Sequence, residues 1–164
     1  DAKMMYKKFN NEKLTRGAVR LGIKANCVLY ACRTAKHPRT TKEIADMFGI
    51  QSKDISRTTQ IFQEHISGST KKNYVTKAFD VMQRLLNSFN VSREERLNCI
   101  KMCSATDDCV ELMSKTPNSI ASAIIYMVLT PKVSKSEMCE KCSVSVPTLN
   151  KIETIIKKHL ERTM

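Results

Sequence analysis

The sequence is short of the residues that build tight loops and nucleotide-binding cradles. Its 164 residues include only four glycines and four prolines, and tryptophan is absent. No alternating polar and apolar run persists, so helices are favoured over strands. The sequence has no glycine-rich phosphate loop, no HExxH pattern and no GxSxG pattern. We therefore expect an all-α protein that is not an enzyme and carries neither a cofactor nor a metal ion.

Long apolar runs are also missing. No stretch reaches the roughly 18 residues of a membrane span, and the first residues, DAKMMYKKF, lack the apolar segment of a signal peptide. The seven cysteines, an odd number, lie inside helical patterns, which favours buried free thiols in a reducing compartment. A lone CxxC, Cys139 with Cys142, lacks the other two ligands of a structural zinc site. We expect a monomer without a membrane partner.

Acidic residues are scarce in the first half of the chain. Residues 1–90 hold 17 Lys/Arg and 7 Asp/Glu, whereas residues 91–164 hold 11 and 9. The net charges are therefore +10 and +2. A basic half predicts a polyanionic partner, and nucleic acid is the leading candidate. Lysines that only keep the surface solvated are the alternative.

One helical pattern occurs twice. The run KANCVLYACR at 24–33 returns as IASAIIYMVL at 120–129, 96 residues later. A capping pair, Thr40 with Glu43, returns as Ser134 with Glu137. The period is too long for a solenoid repeat. It indicates two copies of a small helical domain.

Each copy contains a helix-turn-helix pattern. The first extends from Thr41 to Ile66 with a turn at Gly49, and the second from Lys135 to Leu160 with a turn at Ser143. In DNA-binding proteins of this kind, the second helix enters the major groove. Ordinary helix packing is the alternative, because short helix pairs are common in helical domains.

Polar residues near the starts of the two second helices are candidate DNA contacts. Lys53 and Arg57 share one face of the first because they are four residues apart. On the second, Thr148, Asn150 and Lys151 lie away from the apolar stripe, and the Asn150 amide suits an adenine edge. The alternative for each residue is an ordinary solvated position.

The same periodicities predict about nine helices. A loop is expected at residues 67–70, and a helix is expected from Tyr74 to Phe89. A long helix should follow Ser92, with Leu97, Ile100 and Val110 on its buried face.

Several stretches resemble the C-terminal core of transcription factor IIB, which is built from two cyclin-like repeats of five helices each. They are ACR at 31–33, PRTTKEI at 38–44, SKDISR at 52–57 and SIASAIIYM at 119–127. The resemblance implies a first cyclin-like repeat at 1–90 with a shortened first helix. It implies a second repeat at 91–164 with no room for a last helix. Such divergence suits a distant lineage such as a large DNA virus.

The resemblance also implies a function. Members of this family bind promoter DNA with a TATA-binding protein and recruit RNA polymerase, here in the nucleus or in a cytoplasmic viral factory. A cyclin-type module that regulates a kinase is the alternative, because the same repeats support that role. Cyclins do not need a basic half, so the charge favours DNA.

Positions carried over from the family extend the list of candidate DNA contacts. Lys53 and Arg57 fall on the helix that faces the TATA-binding protein and nearby phosphates, and Arg16 with Gly17 falls where the first repeat touches DNA. Pro147, Thr148 and Asn150 fall on the helix that reads an upstream element. The family has Arg at the position of Asn150 and Val at that of Pro147, so the bidentate Arg–guanine contact is lost here.

Overall fold

The computed structural model describes residues 1–66 and 75–163, and these residues form ten α-helices and no strand. The helices are α1 Ala2–Glu12, α2 Gly17–Thr34, α3 Thr41–Phe48, α4 Ser52–Ile66, α5 Ala78–Leu86, α6 Arg93–Ala105, α7 Val110–Met113, α8 Pro117–Leu129, α9 Lys135–Cys142 and α10 Val146–Thr163. The all-α prediction is confirmed. The predicted loop at 67–70 and Tyr74 lie outside the described residues. None of the described helices has the length and apolar character needed to cross a membrane.

One helix more is present than the sequence predicts, because the helix after Ser92 stops early. The Thr106 hydroxyl donates back to the carbonyls of Met102 and Cys103, at 3.1 Å each, where α6 ends. The predicted buried face is also displaced. Leu97 is 49% exposed and Val110 is 75% exposed, since α6 instead buries two cysteines, Cys99 and Cys103.

The chain divides into two compact units, Asp1–Val75 and Thr76–Met164. This division lies earlier than the predicted boundary between residues 90 and 91. The reason is α5, whose apolar face, including Val81, Met82 and Leu86, is buried in the core of the second unit. The second unit therefore contains α5 to α10.

The first unit is organised around α2, which packs against α1, α3 and α4. Gly22 permits the close approach of α4, because a Cβ there would lie 2.5 Å from Thr58 Oγ1 and 2.9 Å from the Asp54 carbonyl oxygen. One turn later, Asn26 is buried and its Nδ2 donates to the Ile55 carbonyl and to Thr58 Oγ1, at 3.0 Å each. These contacts fix the position of α4 on α2.

The second unit is organised around α8, which packs against α5, α6, α9 and α10. Because neighbours surround it, α8 is apolar on nearly every side. Ala121, Ala123, Ile124 and Ile125 are each 0% exposed. The dense apolar run at 120–129 is therefore a central helix, as 24–33 is in the first unit.

The two helix-turn-helix elements have the same turn. Gly49 after α3 and Ser143 after α9 are both left-handed, with φ of 62° and 53°. Glycine takes this conformation at little cost, whereas serine is strained by it. A left-handed residue at the end of the first helix thus sets the direction of the second helix in both units.

The predicted capping boxes differ in completeness. In the first, Thr40 Oγ1 accepts from the Glu43 amide at 3.2 Å, and Glu43 Oε2 accepts from the Thr40 amide at 2.7 Å. In the second, Ser134 Oγ accepts from the Glu137 amide at 3.2 Å. The Glu137 carboxylate instead pairs with Lys141 Nζ at 2.8 Å. The first helix of each element thus begins where the sequence predicts.

Candidate nucleic-acid interface

The first helix-turn-helix presents exposed cations. Lys53 and Arg57 lie one turn apart near the start of α4, and both are exposed. The Arg57 side chain is 73% exposed, and its guanidinium lies 3.9 Å from Asp54 Oδ1, a long and solvated ion pair. Within residues 1–66 and 75–163, neither Lys53 nor the exposed Lys42 of α3 forms an ion pair. Solvated cations of this kind are free to neutralise phosphates.

The start of α4 is set by a carboxylate. Asp54 Oδ2 accepts a hydrogen bond from the Gln51 amide at 3.1 Å. Its negative charge also suits the positive first turn of the helix. Ser52 is the first residue of the helix itself.

The amino-terminal end of α2 carries the other two candidates of the first unit. Arg16 is the N-cap residue and Gly17, with φ of 56°, is the first helical residue; both are exposed. Two further cations that the sequence analysis overlooked continue along the helix. Arg20 Nε donates to Tyr6 Oη at 2.9 Å, and Lys24 Nζ lies 5.2 Å from the centre of the Tyr6 ring. The four-residue spacing that singled out Lys53 and Arg57 also identifies this set.

The second helix-turn-helix presents its candidates in the first two turns of α10. Pro147, Asn150 and Lys151 are exposed, opposite the buried Leu149 and Ile152. Thr148 is half-buried, and its hydroxyl shares a hydrogen bond of 2.8 Å with Ser145 Oγ. The cap at the start of α10 therefore already uses the Thr148 hydroxyl.

A network of paired charges covers this second element. Lys135 Nζ on α9 lies 2.7 Å from Asn150 Oδ1 and 3.1 Å from Glu153 Oε2, and Lys157 Nζ lies 2.7 Å from Glu153 Oε1. The hydrogen bond from Lys157, followed by that from Lys135, lowers the pKa of Glu153. The carboxylate therefore stays ionised and partly neutralises both lysines. No pattern in the sequence singles out Lys135.

The first unit is more basic than the second, as the first half of the sequence is more basic than the second half. Residues 1–75 contain 15 Lys/Arg and 6 Asp/Glu, a net charge of +9, and residues 76–164 contain 13 and 10, a net charge of +3. Moving the boundary to 75 thus preserves the asymmetry seen in the sequence. The candidates form two groups, Arg16, Gly17, Lys53 and Arg57 in the first unit and Pro147, Thr148, Asn150 and Lys151 in the second.

The cysteines are mostly buried. All seven are free, and burial raises the pKa of Cys27, Cys99 and Cys103 to about 11. Burial also raises the pKa of Cys142, so these groups remain thiols at neutral pH. Across the described part of the chain, no three His, Cys, Asp or Glu residues are grouped as metal ligands would be.

Known proteins are similar to this chain in sequence. The transcription factor TFIIB repeat family matches residues 1–65. Transcription initiation factor IIB of Encephalitozoon cuniculi is 29% identical over 127 residues, which cover 77% of this chain and 39% of that protein. Transcription initiation factor IIB 1 of Thermococcus kodakarensis is 26% identical over 162 residues, 96% of this chain and 54% of that protein. Transcription initiation factor IIB of Schizosaccharomyces pombe is 28% identical over 166 residues, which cover 90% of this chain and 48% of that protein.

The chain is similar to the core of transcription factor IIB. The resemblance found in the sequence is confirmed, and the all-α fold is that of tandem cyclin-like TFIIB repeats. The chain spans about half or less of the length of these relatives. The candidate DNA contacts of the TFIIB-like core remain predictions.

Proposed function

We propose that the TFIIB-like core belongs to a transcription initiation factor that binds promoter DNA together with a TATA-binding protein and helps to recruit RNA polymerase. The protein performs no chemical step in this role. It acts as a bridge, in which basic residues hold DNA phosphates and helical surfaces hold protein. The buried free thiols suit a reducing compartment, the nucleus in a eukaryotic cell.

The observation that carries this proposal is the exposed charge of the first helix-turn-helix. Lys42, Lys53 and Arg57 are solvated around α3 and α4, in a unit of net charge +9. Neutralising phosphates releases counterions from DNA, which gives affinity independent of sequence. We assign Lys53 and Arg57 to DNA phosphates beside the TATA-binding protein.

The start of α2 would supply a second contact of the first unit. Unpaired amides at a helix amino terminus favour a phosphate. A Cβ at Gly17 would meet no atom within 4 Å, so the space beside the backbone is open to a ligand. Arg16 adds a full positive charge there. We assign Arg16 and Gly17 to one DNA phosphate.

Assembly on promoter DNA tests this function. The full chain and a TATA-binding protein are titrated onto a TATA-containing duplex at increasing salt, and the ternary complex is followed by fluorescence anisotropy. We expect cooperative binding whose log–log salt slope is about −0.9 per phosphate contact. A flat salt response, or no ternary complex, would contradict the proposal. If the chain instead bound a cyclin-dependent kinase and had no affinity for DNA, the kinase-regulator alternative would be favoured.

A further inference from the structure

Asn150 is placed where a recognition helix reads bases. It is the fifth residue of α10, it is exposed, and it follows the turn of the second helix-turn-helix. In such elements, the first residues of the second helix reach the base edges in the major groove. An asparagine there ordinarily pairs with adenine, because its amide both donates to N7 and accepts from the N6 amino group.

The contact with Lys135 assigns the orientation of the Asn150 amide. Lys135 Nζ lies 2.7 Å from Asn150 Oδ1. An ammonium group has three donors and no acceptor, so the atom that faces it must be the amide oxygen. The Nδ2 donors therefore point away from Lys135.

Three contacts hold Lys135 in this position. Besides Asn150, its ammonium group lies 3.1 Å from Glu153 Oε2 and 5.3 Å from the centre of the Tyr126 ring. Glu153 is held in turn by Lys157 at 2.7 Å. Because residues of α8, α9 and α10 share these contacts, Lys135 has fewer alternative positions than an isolated surface lysine.

The consequence is a change in what Asn150 can recognise. Asn150 Oδ1 has a second lone pair, but an adenine N6 amino group that donates to it would bring its partly positive hydrogens close to the Lys135 ammonium group. A base edge with acceptors alone meets no such conflict. Guanine offers N7 and O6, and thymine offers O4.

We propose that Lys135 is a specificity-determining residue, which turns Asn150 into a hydrogen-bond donor that selects guanine or thymine over adenine. This inference rests on the proposed binding of promoter DNA. The exposed apolar surface of Val146 and Pro147 lies one turn earlier on α10. It provides a contact for a thymine methyl group if thymine is the base selected.

Selection from randomised duplexes tests the inference. The wild-type chain and three variants, Lys135→Met, Lys151→Met and Asn150→Ala, are each bound with a TATA-binding protein to duplexes randomised beside a TATA sequence, and the bound DNA is sequenced. Methionine keeps most of the apolar stem of lysine and can still pack on Tyr126. Lys151 serves as the matched control, because it is an exposed lysine beside Asn150 without a described contact to its amide.

The base position read by Asn150 is the one whose preference disappears in Asn150→Ala. At that position, we expect the wild type to prefer guanine or thymine over adenine by about tenfold. Lys135→Met should shift this preference toward adenine, whereas Lys151→Met should weaken binding to every sequence alike. Duplexes with 7-deazaguanine or with uracil at that position then distinguish guanine N7 from the thymine methyl group.

The outcomes separate this inference from the proposed function. Binding to promoter DNA with an adenine preference at that position, or with no position sensitive to Asn150→Ala, overturns the role of Lys135 and leaves the proposed function intact. An unchanged preference in a folded Lys135→Met variant, with folding checked by circular dichroism, overturns it equally. If no duplex binds, the proposed function fails and the inference fails with it.

Discussion

The first helix-turn-helix leaves its cations solvated, whereas the second pairs three of its five lysines with acidic side chains within the described residues. Lys53 has no ion pair within the described residues, but Lys135 and Lys157 share Glu153 at 3.1 and 2.7 Å. The backbones are nonetheless alike, with left-handed turns at Gly49 and Ser143. The comparison shows that one scaffold tolerates very different surfaces, because its fold depends on buried positions and on the turn.

The interiors of the two units differ as well. Asn26 of α2 and Ser122 of α8 occupy corresponding positions, 96 residues apart, and both are buried polar residues. Asn26 Nδ2 bonds to α4 at Ile55 and Thr58. Ser122 Oγ donates within its own helix, to the Asn118 carbonyl at 2.7 Å, and also contacts the Cys142 thiol. Asn26 therefore makes stronger hydrogen bonds to a neighbouring helix than Ser122 does, because a thiol is a weak partner.

The interior comparison is tested by removing each buried polar group. Asn26→Ala should destabilise the first unit by about 2–3 kcal/mol, because buried partners on α4 lose their donor and a cavity remains. Ser122→Ala should cost less than about 1 kcal/mol, since a serine bond to its own helix adds little. Native-state hydrogen exchange measures the stability of each unit. Peptides from α2 and α4 report on the first unit, and peptides from α8 and α10 report on the second.

The interior comparison would fail if the two variants lost equal stability. It would also fail if Asn26→Ala lowered protection in α8 and α10 more than in α2 and α4. Exchange in the peptides of the other unit serves as the internal control for each variant.

The turn comparison predicts opposite signs for two matched substitutions. Gly49→Ala should destabilise the first unit by about 1 kcal/mol, because a Cβ is disfavoured at φ of 62°. Ser143→Gly should stabilise the second unit by about 0.5–1 kcal/mol, because it relieves that same strain. The midpoint of urea unfolding, followed by circular dichroism, measures both. Changes of the same sign in the two variants would show that the turns are not equivalent.

Much of the fold was predictable from local patterns. The capping pair Thr40–Glu43, the turn at Gly49 and the two dense apolar runs each depend on neighbouring residues, so the sequence displays them directly. The place of α5 was not predictable in this way. Its apolar stripe shows that it is buried, and only tertiary packing decides that it is buried against α8.

The basic residues of the candidate site were predictable from the sequence, but the contacts between its side chains were not. The excess of charge in the first half was visible in the sequence, as were Lys53 and Arg57 at a spacing of four. The contact of Lys135 with Asn150 joins residues 15 positions apart on two helices, and no periodic pattern encodes it. The same holds for the pair of Arg20 with Tyr6, which joins α1 and α2.

The salt dependence of DNA binding tests the central comparison most directly. Two double variants remove two cations each: Lys53→Ala with Arg57→Ala in the first unit, and Lys141→Ala with Lys157→Ala in the second. Lys141 and Lys157 are paired with Glu137 and Glu153, at 2.8 and 2.7 Å. Affinity for a promoter duplex with a TATA-binding protein is measured at several salt concentrations, after circular dichroism confirms that both variants fold.

We expect the first double variant to reduce the log–log salt slope by about 1.8, which corresponds to two lost phosphate contacts. The second should change the slope by less than about 0.5, because its lysines already interact with carboxylates. Equal changes in slope, or a larger change for the second variant, would contradict the assignment of the main DNA charge contact to the first unit.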